Sequence, residues 1–174
     1  MAGVTTNNSW DYPTSTDYVK DGATAIQTLA TDIDTSVGTG LLAWTTYTPT
    51  LSGTGWSLGN GTLTGRSAKL GKIVCAEIML TFGSTTVAGS AVPTVTLPHT
   101  ANTTISPNPA HVTINDTSAS TTYIGQGSLT STGVTANVGV SSGAYTSLTG
   151  LAAGVPITYA TGDEVRWSCM YEGT

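Results

Sequence analysis

The sequence predicts a mainly β protein: an N-terminal extended peptide and one oligomerising helix, followed by an antiparallel, jelly-roll-like β-sandwich head. Three observations carry this. Helical periodicity occurs in one segment only, residues 16–38. From Trp44 onward, short alternating runs are separated by Gly, Pro, Asn and Asp, the pattern of an antiparallel sandwich. Thr outnumbers even the 21 Gly, and 9% of residues are charged, where an ordinary globular chain has roughly 25%. β-branched Thr favours strands, Gly supplies turns, and the resulting surface is covered with hydroxyls rather than ions. With 174 residues and 39% hydrophobic content, one domain with a short extension is expected.

Residues 1–15 (MAGVTTNNSWDYPTS) are polar apart from a few groups, of which Trp10, Tyr12 and Pro13 are the large ones. They read as an extended peptide with no place in a core. Such a peptide is either a frayed tail or an arm whose aromatics anchor it in a larger assembly. The second alternative makes Trp10, Tyr12 and Pro13 the docking residues.

Residues 16–40 are expected to form a helix and a joint. Val19, Ile26 and Ile33 recur every seven residues, Leu29 falls three after Ile26, and Ala23, Ala30 and Val37 widen the stripe. Thr16 suits the N-cap, Asp17 and Asp21 the first turn, and Gly38 the stop, with Gly38-Thr39-Gly40 as the joint. Such a helix runs roughly 30 Å. No second helix follows. The stripe Val19, Ile26, Leu29, Ile33 and Val37 must therefore meet another copy of the chain or a partner. Ile and Leu at the two seam positions suit two-stranded coils, and about three heptads are too few to set the number of strands.

The head occupies residues 41–174. A first strand is expected over residues 44–51, and Asn60-Gly61 marks a turn. Residues 62–70 and 72–82 read as a hairpin turning near Gly71. The second of these strands puts Val74, Ala76, Ile78, Leu80 and Phe82 on the core side. Its other face carries Ile73, Cys75, Glu77 and Met79, which is too apolar for open solvent and is expected to meet a neighbouring subunit. Further strands are expected at residues 94–97, 110–115, 122–129, 134–140, 155–159 and 164–171. Pro98, Asp116, Gly133, Ser142-Gly143 and Gly162-Asp163 supply the turns.

The net charge is −5, of which residues 1–40 hold −4, from five Asp against Lys20. Nucleic-acid binding would need a basic patch, and Arg66, Lys69 and Lys72 are too few to make one. No secretory signal or membrane-spanning run is visible, so neither membrane insertion nor an oxidising compartment is expected. Cys75 and Cys169 are then free thiols serving as small buried hydrophobes. Asn-x-Ser/Thr sequons begin at Asn7, Asn60, Asn102 and Asn115, a chance product of a Thr-rich chain.

The order of short motifs resembles a known group. The stretch YPTSTDYVKDGATAIQTLATDIDTSVG resembles the N-terminal segment of many phage tail and minor structural proteins. The head resembles small fibre-tip domains of phages. Its matching residues are Trp44, Tyr47 and Pro49; Gly59, Asn60 and Gly61; Gly65 and Arg66; Gly71, Lys72 and Val74; Leu97 and Pro98; Thr161, Gly162 and Asp163; and Tyr171 and Glu172. The resemblance spans most of the chain. It implies a phage tail-fibre or minor appendage protein located in the virion, assembled in the host bacterial cytoplasm and usually homotrimeric. The helix end would dock on other virion structural proteins, with the head outward. The chain is short for a full tail fibre, which keeps a capsid head fibre or decoration protein as the alternative. A cellular adhesin is disfavoured by the missing secretory signal.

Nothing points to catalysis, a metal or a cofactor. Asp163 and Glu164 are adjacent on an expected turn and strand, so they face opposite ways, and Asp163 reads as a turn cap. Glu77 and Arg166 read as a structural ion pair across strands. His99 and His111 are isolated, and neither cysteine has an activating histidine near it in sequence. Ligand binding is different. Trp56, Tyr123 and Tyr145 fall in or beside expected loops, where aromatics in a hydroxyl-rich surface suit stacking on host-surface glycan. The alternative is that each fills its own core or a subunit seam.

Overall fold

A computed structural model describes residues 3–6, 9–16, 18–38, 43–104 and 109–174. The chain forms two compact units, Met1–Ala43 and Trp44–Thr174.

In the N-terminal unit the expected extended peptide is instead a small hairpin. Strand β1 (Gly3–Val4) pairs antiparallel with β2 (Asp11–Tyr12). The Trp10 carbonyl accepts from Thr5 N at 2.9 Å, and the Thr5 hydroxyl accepts from Trp10 N at 2.9 Å. The Tyr12 ring lies over Gly3, where any Cβ would strike it. A 3₁₀ turn (Val19–Asp21) leads into α1 (Gly22–Gly38), a 17-residue helix of about 25 Å.

The helix thus starts six residues later than expected. Tyr18, not Thr16, holds the cap position of the 3₁₀ turn, in extended conformation and without a side-chain cap bond. The Thr16 hydroxyl is engaged with Thr14 at 3.0 Å. Asp17, Thr39 and Gly40 lie outside the described residues.

The C-terminal unit is an antiparallel β-sandwich. Its strands are β3 (Thr45–Tyr47), β4 (Leu51–Ser52), β5 (Thr62–Leu70), β6 (Ile73–Thr81), β7 (Thr94–Thr96), β8 (Pro109–Asp116), β9 (Thr121–Ser128), β10 (Gly133–Thr135), β11 (Asn137–Ser142), β12 (Tyr145–Gly150) and β13 (Glu164–Glu172). An eight-stranded sheet runs β12-β11-β9-β8-β13-β6-β5-β3, and a three-stranded sheet runs β10-β7-β4. The division is therefore eight to three rather than even. Val95 and Val134 of the small sheet share one core with Val74, Leu80, Val112, Ile114, Val138, Val165 and Trp167 of the large one.

The hairpin β5–β6 matches the sequence expectation. Leu70 faces Ile73 across a two-residue loop, with Gly71 at φ 57°. Val74, Ala76, Ile78, Leu80 and Phe82 are all buried. On β13, Val165, Trp167, Cys169 and Tyr171 are buried in turn, and Trp167 Nε1 donates to the Thr135 carbonyl at 3.1 Å.

Two expected strands are in fact broken at corners. The run 44–51 is interrupted by buried Pro49, which cannot donate to a ladder. There the chain passes from β3 in the large sheet to β4 in the small one, with Thr50 N donating to Thr96 Oγ1 at 2.9 Å. The run 134–140 breaks at fully buried Ala136, between β10 and β11. Residues 155–159, expected as a strand, make only an isolated bridge at Val155, and Pro156 has no N–H to pair. The missing edge strand is β12, which lies earlier in the chain.

Asp163 closes one end of the sandwich. It is 1% exposed and accepts three bonds: Thr117 N and Thr117 Oγ1 to Oδ1 at 3.0 Å each, and Ala160 N to Oδ2 at 2.7 Å. Gly162, at φ 94°, makes the turn before it. Asp163→Ala would remove the charged acceptor of Thr117 N, Thr117 Oγ1 and Ala160 N. It is expected to lower stability by about 3 kcal/mol in denaturant unfolding. A loss under about 0.5 kcal/mol, within the range of an ordinary surface change, would show that the carboxylate does not hold this loop.

Candidate functional site

The outer face of the large sheet is set by the same alternation that builds the core. Register places Thr46, Arg66, Glu77, Ser168, His111 and Gln126 side by side on β3, β5, β6, β13, β8 and β9. The next row carries Thr64, Met79, Arg166, Thr113 and Ile124. A groove of about 550 Å³ lies over these rows, lined by Thr46, Arg66, Glu77, His111, Arg166 and Ser168 among others. A second, of about 580 Å³, continues from Glu77, His111 and Ser168 to Trp44, Cys75, Pro109 and Met170.

The charges on this face are tied to one another. Arg66 directs Nε and Nη2 to Glu77 Oε2 at 2.7 and 2.6 Å, and its guanidinium lies 4.7 Å from the centre of the Trp44 ring. Glu77 thus pairs with Arg66, which stands directly opposite, and not with Arg166, which faces Met79. Arg166 directs Nε and Nη2 to Glu164 Oε2 at 3.1 and 2.7 Å, and Asn115 Nδ2 donates to the same oxygen at 3.1 Å. Lys72 lies 3.5 Å from Glu172. These pairs are solvent-accessible, so each contributes little to stability and mainly orders the surface.

The residues singled out from sequence are scattered rather than brought together. Trp56 is half-buried, donates Nε1 to the Ala91 carbonyl at 2.6 Å, and meets Phe82 and Tyr159 edge-on at 6.3 Å. Phe82 and Tyr159 stack at 4.5 Å. Burial raises the Tyr159 hydroxyl above its usual range. Tyr123 lies on β9, within the strand expected over residues 122–129, and packs on the core beside Ile114. Tyr145 begins the edge strand β12 and is 84% exposed. The three aromatics thus form no common surface. Trp44, absent from that set, lines the second groove, where Glu77, His111 and Ser168 also lie.

In the N-terminal unit, Trp10 and Tyr12 have partners of their own. Trp10 Nε1 donates to Ser36 Oγ at 3.0 Å, and Asp11 N approaches Asp32 Oδ2 at 3.4 Å. The hairpin therefore rests on the Asp32–Ser36 side of α1, correcting the expectation of an unpartnered peptide. Pro13 is half-buried directly after β2. The expected seam is also divided. Val19 is 98% exposed but sits in the 3₁₀ turn, outside the α-helix. Leu29 is half-buried, and at about 100° per residue it falls between the hairpin side and the free side. Ile26, Ala30, Ile33 and Val37 remain as a continuous exposed ridge, with Ile26 61% exposed.

Among the described residues, no three His, Cys, Asp or Glu side chains are grouped to hold a metal, and no helix is long and apolar enough to cross a membrane. Glu164 faces outward and Asp163 inward, so the two acids do not converge on a substrate position. Comparison of the chain with protein-family models, curated proteins and solved structures gave no match.

Cys75 and Cys169 are both free and lie on opposite faces, Cys75 beside the groove and Cys169 in the core. Burial, helped by the neighbouring Cys75, pushes the Cys169 thiol up to about 12. Alkylation of the native protein at mildly alkaline pH is expected to modify Cys75 and spare Cys169, with both reacting after denaturation. Rapid modification of Cys169 in the native state would contradict its placement in the core.

Proposed function

We propose that the chain is a self-associating appendage protein of a phage particle, with the N-terminal unit attaching and the β unit meeting the host surface. The observation that carries self-association is the ridge Ile26, Ala30, Ile33 and Val37. The hairpin sits about 110° round α1 from this ridge, on the Asp32–Ser36 side, so the ridge is the apolar helix surface left for another copy. Its 4-3-4 spacing is that of a coiled-coil seam, although it spans fewer than two heptads. The virion setting, the trimer and the glycan receptor rest on the order of sequence motifs from Trp44 to Glu172.

Ile26→Asp places a charge in the ridge while leaving the β unit untouched. Light scattering is expected to show the oligomer mass falling at concentrations where the wild type is fully assembled, a weakening of tenfold or more, or about 1.4 kcal/mol. The β signal in circular dichroism is retained. An unchanged mass would remove the ridge from the interface.

Attachment is tested on particles. A chain lacking residues 1–15 is expected to keep its β unit folded and to be absent from assembled virions; normal occupancy would overturn the attachment role. Particles lacking the whole protein are expected to adsorb poorly to host cells. Undiminished adsorption would favour a decoration protein instead.

A further inference from the structure

We propose that the groove on the outer face of the large sheet binds a neutral saccharide, with Trp44 as the stacking platform and the row Glu77, Ser168 and His111 as its polar wall. The proposal deepens the host-attachment reading, on which it rests. It places the contact on a surface that the exposed loop aromatics do not share.

The first argument concerns Trp44. Trp56 and Trp167 spend their rings and their N–H groups on the core. Trp44 is 46% exposed, and Arg66 both lies over its ring and is anchored by Glu77. A cation over the ring restrains the indole without burying it. Such a surface costs little further ordering when a ligand lands on it.

The second argument concerns charge. Both guanidinium groups in the groove, Arg66 and Arg166, are paired with carboxylates through Nε and Nη2, which lowers the positive charge offered to a phosphate or an acidic sugar. What remains is a set of hydrogen-bonding groups: hydroxyls of Thr46, Thr64, Thr113 and Ser168, the second oxygen of the Arg66-paired Glu77, and the imidazole of His111. A pyranose has hydroxyls around its rim and C–H groups on its faces. Its rim suits this polar row, and its C–H face suits Trp44 and Met170.

The third argument separates a sugar from a second copy of the chain. The centre of an interface between copies is depleted in charged groups. Here the centre of the face is the Arg66–Glu77 pair with Ser168 and His111 beside it. The apolar groups flank that row, Cys75 and Met170 on one side and Met79 and Ile124 on the other. The groove that holds Trp44, Glu77, Ser168 and His111 together measures about 580 Å³, within the range of small-ligand sites.

The test uses the full chain, titrated by calorimetry and tryptophan fluorescence. The probes are neutral oligosaccharides built from glucose, galactose, rhamnose and N-acetylglucosamine, with a sialylated trisaccharide as the acidic comparison. Saturable binding of at least one neutral probe and none of the acidic one is expected. Trp44→Ala and His111→Ala, both altering exposed side chains, are each expected to weaken it about tenfold or more. Trp44→Phe should retain most of the affinity, and Tyr145→Ala all of it. Undiminished binding by Trp44→Ala and His111→Ala would overturn the groove while leaving host attachment intact. So would binding lost with Tyr145→Ala alone. No binding of any neutral probe, with Trp44→Ala changing the oligomer mass, would assign the face to a second copy. Undiminished adsorption of particles lacking the protein would defeat the attachment reading itself, independently of these titrations.

Discussion

Everything in the β unit depends on the two-residue alternation of β6 and β13, the paired strands at the middle of the large sheet. Nine registered pairs lock them together, from Glu164 opposite Thr81 to Glu172 opposite Ile73. A slip of one residue would turn Leu80, Val165 and Trp167 to water and bury Glu77 and Arg166. The inner half of this alternation packs on Val95 and Val134 of the small sheet. The outer half lays out the polar row and the groove. Core and candidate site are thus two sides of one register, and neither can be altered by a shift without losing the other.

A chain with few charges must hold its loops by other means. Here hydroxyls, amides and one buried acid do that. Asn60 Oδ1 accepts from both Thr85 N and Thr85 Oγ1 at 2.9 Å, and Thr86 Oγ1 donates to the Leu58 carbonyl at 2.6 Å. The loops at residues 58–61 and 83–86 approach so closely that Gly59, Gly61 and Gly83 have no room for a Cβ. Asp163 does the same work between residues 117 and 160. Thr is suited to both tasks of this fold: its branched Cβ fills strands, and its hydroxyl closes turns. The high Thr content is therefore structural before it is functional.

The hairpin β5–β6 and the inner residues of β13 were legible in the sequence because local alternation and tertiary burial agree there. The corners at Pro49 and Ala136 were not. In a sandwich, a run of alternating residues can continue in pattern while its hydrogen bonds change sheet. Only the partner strands reveal the change, though Pro49 was a local warning. Tyr145–Gly150 was hidden for the opposite reason: an edge strand exposed on both faces has no alternation to read. Pro156, with no N–H for a ladder, is the local signal against a strand over residues 155–159. Trp56 lies in a loop, as the sequence suggests, but that loop gives no hint of Phe82 and Tyr159, which reach it from distant segments and draw it to the core. The groove was half legible. Glu77 and Met79 were assigned to the outer face, but the register that sets Arg66 opposite Glu77 is a tertiary fact.

The N-terminal unit shows how a short segment divides its surface. A helix of 17 residues is marginal in water by itself. The hairpin supplies support on one side through Asp11 and Trp10, which meet Asp32 and Ser36. These are polar contacts at the edge of solvent, and they leave Ile26 and Val37 exposed. Burying one such side chain is worth roughly 1.5–3 kcal/mol before ordering costs. The ridge offers only three large apolar groups, so a pair of copies held by it alone would be weak. The proposed attachment to a multi-copy particle would change that arithmetic. Each subunit in a bundle raises the effective concentration of the next, and weak seams become firm without any added contact. Under that reading a short apolar ridge suffices, and a long seam is not needed to hold the copies together.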